Sequence, residues 1–219
     1  MAATLKRATR GKPTPRLRDA DATRLRVLDA AKGEFARLGF AGARVAAIAA
    51  RAHANKQLIY HYFGSKEDLY VAVLEQAYGD IRESESRLDV EHLEPVQALQ
   101  TLVEFTWNYY LKNPEFLALV NNENQHRAAH LRRSSVIGRI HAPFRTRLAA
   151  ILARGVRAGV FRRGVDADQL NLTIAAVGYY YLTNRHTNTL IYETDLMAPR
   201  ALTRRLAFNM ETVLRMVMK

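Results

Sequence analysis

The side chains with the clearest chemical purpose lie close together in VAAIAARAHANKQLIYHYF, residues 45–63. Lys56, Gln57, Leu58, Tyr60, His61 and Tyr62 gather a charge, an amide, an apolar branch and aromatic polar tips into one short run. Ile59 and Phe63 stand among them at i, i+4, which turns those two inward on a helix and leaves the others outward or partly outward. Ahead of them Val45, Ile48, Ala49 and Ala52 line one narrow face of another short helix, and Asn55 is a good cap for the helix that follows. Two short helices around the turn Ala52–Asn55 have the sequence shape of a helix-turn-helix. The chemistry of such a unit is recognition, because its second helix enters the major groove of DNA.

Charge points the same way. The formal net charge is +12, of which residues 1–18 hold +6, residues 19–66 hold +4 and residues 67–219 hold +2. A basic lobe beside a near-neutral one suits a protein that docks one end on phosphates. A solvated tail or contact with an acidic membrane would also explain the charge taken alone. Residues 1–19 contain Gly11, Pro13 and Pro15 and few large apolar side chains, so a disordered basic arm is expected there.

Other chemistry is thinly represented. The chain has no cysteine, hence no disulfide, thiolate metal site or cysteine nucleophile. Gly-rich phosphate loops, a G-x-S-x-G elbow and an H-E-x-x-H pair are all missing, and no enzyme activity is expected. Glu123, His126 and His130 at i, i+3 and i+7 would place three metal ligands on one face of a continuous helix. Paired or solvated side chains are the commoner use of such a face, and no metal or cofactor is expected. No apolar run approaches the roughly 18 residues of a membrane span, and the basic start lacks a signal-peptide core. A soluble, cytoplasmic protein without membrane contact is expected.

The elements that must position the 45–63 unit are helical throughout. Leu28, Ala31, Phe35 and Leu38 recur at helical spacing, predicting a first helix from about Ala20 to Leu38 that stops at Gly39, with Phe40 folding back onto the core. Gly64 ends the third helix, and Ser65 with Glu67 and Asp68 starts a long fourth over about Lys66–Leu88. Further helices are predicted from Pro95 to Lys112, over 114–130, over 133–159 with a kink or start at Pro143, from Asp166 or Asp168 to about Leu190, and from Pro199 to Met218. No strand of convincing length is predicted and the fold class is all-α. An N-terminal three-helix unit (20–66) would follow the arm (1–19) and precede a helical domain (67–219).

The run from Gly39 to Tyr70, above all LIYHYFGSKEDLY, resembles the TetR/AcrR family of bacterial transcriptional regulators. The resemblance covers the first quarter to third of the chain, with a weaker echo in RGVRAGVFR and the capped helix after it. It implies that Lys56, Gln57 and Leu58 open the helix that reaches base edges, with lysine suited to guanine, glutamine to adenine and leucine to a thymine methyl. Tyr60 matches the family's phosphate-contacting tyrosine, Lys66 sits where a helix N-terminus favours phosphate, and Arg44 and Asn55 flank the groove. His61 joins this set, although packing is an equal alternative for it and for Tyr62. The family pattern departs at Ala43-Arg44, where a capping Thr or Ser is usual, and at His53, where Gly is usual.

One such unit reads a short half-site, so a homodimer on double-stranded operator DNA is expected. The resemblance points to helices 143–158 and 167–190, joined by 200–217, as the interface, with apolar faces Leu148, Ile151, Leu152, Val156, Leu170, Ile174, Val177 and Tyr181. A small-molecule effector is expected among the middle helices, where Trp107, Tyr110, Phe116, Glu123, His126 and Tyr179 are the candidate lining. The function implied is a ligand-responsive repressor released from its operator. The alternative is a DNA-binding regulator or architectural protein that needs no effector.

Overall fold

The computed structural model describes residues 15–219, with side chains from Ala20 onward. Most of the expected basic arm, residues 1–14, therefore lies outside the described residues. Helix α1 (Pro15–Gly42) begins ahead of the expected Ala20. It bends at Gly39, whose φ of 67° and ψ of 178° break the helical run. Glycine takes that left-handed φ at little cost. The bend lets Phe40 turn back onto Phe35 and Tyr70, ring centroids 6.3 and 5.3 Å away.

The next elements are α2 (Val45–Arg51), α3 (Lys56–Phe63) and α4 (Lys66–Ser86). After them come α5 (Pro95–Lys112), α6 (Pro114–Gln125), a single 3₁₀ turn (Leu131–Arg133), α7 (Ile137–Arg157), α8 (Ala167–Thr183), α9 (Arg185–Ile191) and α10 (Pro199–Val217). Among the described residues every regular element is helical, and the only extended pairing is an isolated bridge between Phe161 and Met218.

Two helices end earlier than expected, each for a local reason. The helix predicted over 114–130 ends at Gln125, because Arg127 and Ala128 adopt φ of 56° and 57°. The helix predicted to Leu190 breaks at Asn184, whose side-chain amide donates to Tyr180 O at 3.1 Å. Such a side chain offers the backbone an alternative to the helical ladder. Pro143 lies inside α7, which starts at Ile137 once Ser134 Oγ has accepted the N–H groups of Val136 and Ile137.

Two apolar cores hold these helices. The first joins Val27, Ala31 and Phe35 of α1, Ile48 of α2, Ile59 and Phe63 of α3, Leu69, Tyr70 and Leu74 of α4, and Phe116 and Leu119 of α6. It runs straight across residue 66. The second joins Leu99 and Leu102 of α5, Phe144, Leu148 and Ile151 of α7, Leu170 and Ile174 of α8, and Val213 and Val217 of α10. Each fully buried Leu, Ile or Phe contributes about 1.5–3 kcal/mol relative to exposure.

The second core corrects the expected docking faces. Leu148, Ile151, Leu152, Leu170 and Ile174 are buried in the chain's own interior, so the apolar stripe of α7 is already used. The last three helices leave apolar side chains exposed, among them Leu172 and Tyr180 of α8, Leu190 and Ile191 of α9, and Phe208 of α10. The open apolar face therefore belongs to α8–α10.

Candidate nucleic-acid interface and inner polar cluster

The sequence dictates α3 from both ends. Asn55 Oδ1 accepts the Leu58 N–H at 2.7 Å, closing one of the free donors of the first turn. At the other end Gly64 takes φ 85° and stops the helix. Ile59 and Phe63 are buried, so their helix cannot roll. The opposite side presents Asn55, Lys56, Gln57, Tyr60 and His61 to solvent, with Leu58 half-buried at its edge. Tyr60 is 45% exposed, a large aromatic surface for a soluble helix to leave open. His61 packs loosely on Tyr62, ring centroids 5.7 Å apart, while Tyr62 itself rests against the first core.

The flanks are basic. Arg44 is exposed at the start of α2, where no side chain caps the helix, in keeping with the loss of the usual hydroxyl. His53 adopts φ 50°, the left-handed turn conformation that glycine usually supplies. Lys66 opens α4 with its Nζ 4.7 Å from the centre of the Phe40 ring, so the aromatic face holds the ammonium at the helix N-terminus. Ser65 caps the same turn, accepting the Asp68 N–H at 3.0 Å.

Behind this surface a loop after α6 grips the reading unit. The buried Glu123 carboxylate accepts from His130 N at 2.9 Å and Leu131 N at 2.8 Å, and meets His130 Nδ1 at 2.9 Å. His130 lies 4.3 Å from Phe40 and 4.9 Å from Tyr70, centroid to centroid. Asn122 Nδ2 donates to Phe35 O at 3.3 Å, and Arg133 pairs with Asp68 at 2.6 Å.

That geometry corrects three expectations. Glu123 and His130 meet because the helix has ended, not because they share its face. His126 is exposed and its Nδ1 lies 2.7 Å from Asn122 O, so it joins neither a metal set nor an internal pocket. Both Glu123 oxygens are taken by the loop, so the carboxylate is not free to meet a ligand. Among the described residues no group of three or more His, Cys, Asp or Glu side chains is arranged to hold a metal ion.

Tyr110, Phe116 and Tyr179 do come together, in a polar-aromatic cluster between α4 and α8. Tyr110 lies stacked at 6.0 Å from Phe116, and Tyr78 stands edge-on to Phe116 at 5.4 Å and to His141 at 5.2 Å. Tyr179 donates its hydroxyl to Asn121 Oδ1. Trp107 is buried beside this group, 5.7 Å from Tyr181. Burial pushes the phenols of Tyr109 and Tyr110 up to about 12, so both stay protonated donors.

Sequence reading missed the charged half of this cluster. Arg82 of α4 lays its guanidinium 4.2 Å from the centre of the Phe144 ring and reaches Glu85 at 2.6 Å, while its Nε has no hydrogen-bond partner. Glu85 is buried, and desolvation raises its carboxyl to about 7 against the opposing pull of Arg82 and Arg147. A signal existed: Glu85 continues the stripe of Leu74, Tyr78 and Ile81, an acid set on the apolar face of α4.

A separate open groove of about 1040 Å³ lies along α10 and the loop before it, with Tyr181 of α8 at its side, lined by Asp195, Arg200, Arg204, Arg205 and Phe208 among others. No helix of the described residues is long and apolar enough to cross a membrane.

Comparison with known proteins agrees with this layout. Residues 27–73 match the model of bacterial regulatory proteins of the tetR family, and residues 95–213 match the tetracyclin repressor-like C-terminal domain. The chain is 36% identical to the HTH-type transcriptional repressor NicS of Pseudomonas putida, over 91% of this chain and 94% of that protein. It is 41% identical to the HTH-type transcriptional repressor SCO4008 of Streptomyces coelicolor over 105 residues, 47% of this chain and 50% of that one. The crystal structure of SCO4942 from the same organism superposes with a TM-score of 0.68 at 25% identity, covering 89% of this chain and 98% of that chain. The chain belongs to the TetR family of bacterial transcriptional regulators.

Proposed function

We propose that the protein is a homodimeric repressor that holds operator DNA through α3 and is released by a small molecule bound among α4–α8. The observation that carries this reading is the two-sidedness of α3, with Ile59 and Phe63 locked in the core and Lys56, Gln57 and Tyr60 open. Lys56 and Gln57 read base edges, Leu58 meets a methyl group, and Tyr60, Lys66 and Arg44 hold phosphates. Asn55 fixes the helix start, and His61 lies at the rim of the contact. Residues 20–66 form the reading unit and 67–219 the sensing and dimerising unit, although the two share one core.

A second copy covers the exposed face of α8–α10, which pairs two reading units for a two-fold operator. The effector favours one of two arrangements of α4 and α6, and the loop at Glu123 and His130 passes that difference to α1 and α4. No catalytic role is assigned, and the protein acts in the cytoplasm, where its DNA lies.

The test is binding to the DNA directly upstream of the protein's own gene, at several salt concentrations, for the wild type and for Lys56→Ala with Tyr60→Ala. Saturable binding that survives non-specific competitor and drops in the variant supports the reading. Salt-sensitive binding indifferent to sequence and to both residues overturns it.

A further inference from the structure

We infer that the run Arg10-Gly11-Lys12-Pro13 enters the minor groove of A·T-rich DNA, beside the half-site that α3 reads in the major groove. This rests on the reading of α3 as the helix that meets operator DNA.

The order of these four residues says more than their charge. Two cations flank a glycine, and a proline follows. The minor groove is about 6 Å wide, and over A·T tracts it narrows and becomes more negative. A chain on its floor has no room for a side chain pointing inward, and glycine meets that condition by having no Cβ. The residues on either side turn along the groove, where Arg10 and Lys12 reach the adenine N3 and thymine O2 acceptors. Pro13 and Pro15 bias Lys12 and Thr14 toward extended backbone, which fits a groove too narrow for a helix. Guanine opposes this fit, because its N2 amine projects into the same groove. A tail that only gathers phosphates needs none of this order.

Arg10 to Pro13 precede the described residues, and α1 fixes the side of the molecule from which they depart. Near one end of α1, Phe35 O accepts from Asn122 Nδ2 of α6, on the sensing side. Toward the other end, the Arg24 guanidinium lies 5.2 Å from the centre of the ring of Phe63, the last residue of α3. Helix α1 extends beyond Arg24 to Pro15, about 14 Å further from the sensing side. Arg24, Leu25 and Arg26 are exposed along this stretch, so the first core does not enclose it. From Pro15 back to Arg10 the chain spans up to about 17 Å when extended. Half a turn of B-DNA, the step from one groove to the next, is also about 17 Å. No acid precedes Asp19, so the whole route is positive.

The experiment uses the full-length protein and the operator mapped upstream of its gene. About four base pairs outside each half-site are set to A·T, G·C or inosine·C. Inosine lacks the N2 amine, so its pair resembles A·T from the minor groove and G·C from the major groove. The wild type is expected to prefer A·T over G·C flanks by roughly tenfold, the scale of one mismatched base pair, and inosine·C should restore most of the difference. Gly11→Val leaves the charge untouched and is expected to abolish the flank preference, as is Arg10→Ala with Lys12→Ala, while Lys12→Arg keeps it. Lys56→Ala is expected to weaken binding on all three flanks and preserve their ratio. Equal wild-type binding to every flank overturns the inference, as does inosine·C behaving like G·C. A flank preference that survives Gly11→Val or the double alanine variant also overturns it. In those cases the operator is still bound and the reading of α3 stands. Absence of operator binding by the wild type, whatever the flanks, overturns both.

Discussion

His130 stands edge-on to Tyr70, ring planes 90° apart and centroids 4.9 Å distant, so a loop residue from beyond α6 touches the helix that carries Lys66. Glu123 holds that histidine and the loop backbone through three contacts from a buried position. Replacing Glu123 by Gln keeps the shape but removes the charge that strengthens those bonds. A loss of about 1–3 kcal/mol is expected, read as a lower urea midpoint with an unchanged slope. A change within a few tenths would mean that the loop is held by packing alone.

Tyr60 combines a ring and a hydroxyl, and the two can be separated. Tyr60→Phe should weaken operator and non-specific DNA alike, by several-fold, because a phosphate contact carries no sequence information. Lys56→Ala should instead cost about 1–3 kcal/mol on the operator and relax the preference at one base pair. Binding to a set of single-base operator variants separates these two outcomes.

Asn55 caps α3 through a 2.7 Å bond to Leu58 N–H. Asn55→Ala is expected to cost about 1 kcal/mol of stability, and Asn55→Gly a few tenths. Thermal melts of both variants check the order. An alanine variant as stable as the wild type would show that the cap contributes nothing.

Gly155 of α7 faces Phe161 so closely that an added Cβ would lie 1.9 Å from the ring. Phe161 is fully enclosed and tied to the end of α10, so it cannot swing aside. Gly155→Ala should destabilise the chain by about 1–3 kcal/mol through overpacking. Chemical denaturation measures it, and the pair Gly155→Ala with Phe161→Leu should recover part of the loss.

Glu85 makes stability depend on pH. Its carboxyl lies near 7 in the folded chain and at the ordinary value of 4.5 when unfolded. The unfolded state therefore releases this proton first, and stability contributed by the protonated form is full below about 4.5 and lost as pH rises through 7. Glu85→Gln removes the effect, so the wild type should lose up to about 2–3 kcal/mol relative to the variant between pH 4.5 and 8. Melting curves of the two proteins across that range provide the check. Parallel curves would place the Glu85 carboxyl at its ordinary value.

The reading unit was legible because its signals are local. The i, i+4 pair Ile59–Phe63, the cap Asn55 and the stop Gly64 each act within one or two turns. The inner cluster was legible only in part. Tyr110, Phe116 and Tyr179 stand out as aromatic clusters, but Arg82 resembles any surface arginine until Phe144, 62 positions later, arrives beneath it. Glu123 and His130 show the opposite failure. Their spacing is meaningful on an unbroken helix, and two left-handed residues, Arg127 and Ala128, broke it. The apolar stripe of α7 carries no mark of whether its own chain or another covers it, since burial in either place demands the same residues.

The first core also decides where this regulator can be cut. Phe35 and Ile48 share one core with Leu69, Tyr70 and Leu74, all beyond residue 66, where sequence alone would end the unit. A fragment stopping at residue 66 would expose those side chains to water and forfeit their share of the folding energy. Builders of hybrid regulators who exchange operator specificity at that junction would graft an incomplete object. The transferable piece is α1–α4 as a block, and its recipient must offer a surface equivalent to Phe116 and Leu119 for the graft to rest on.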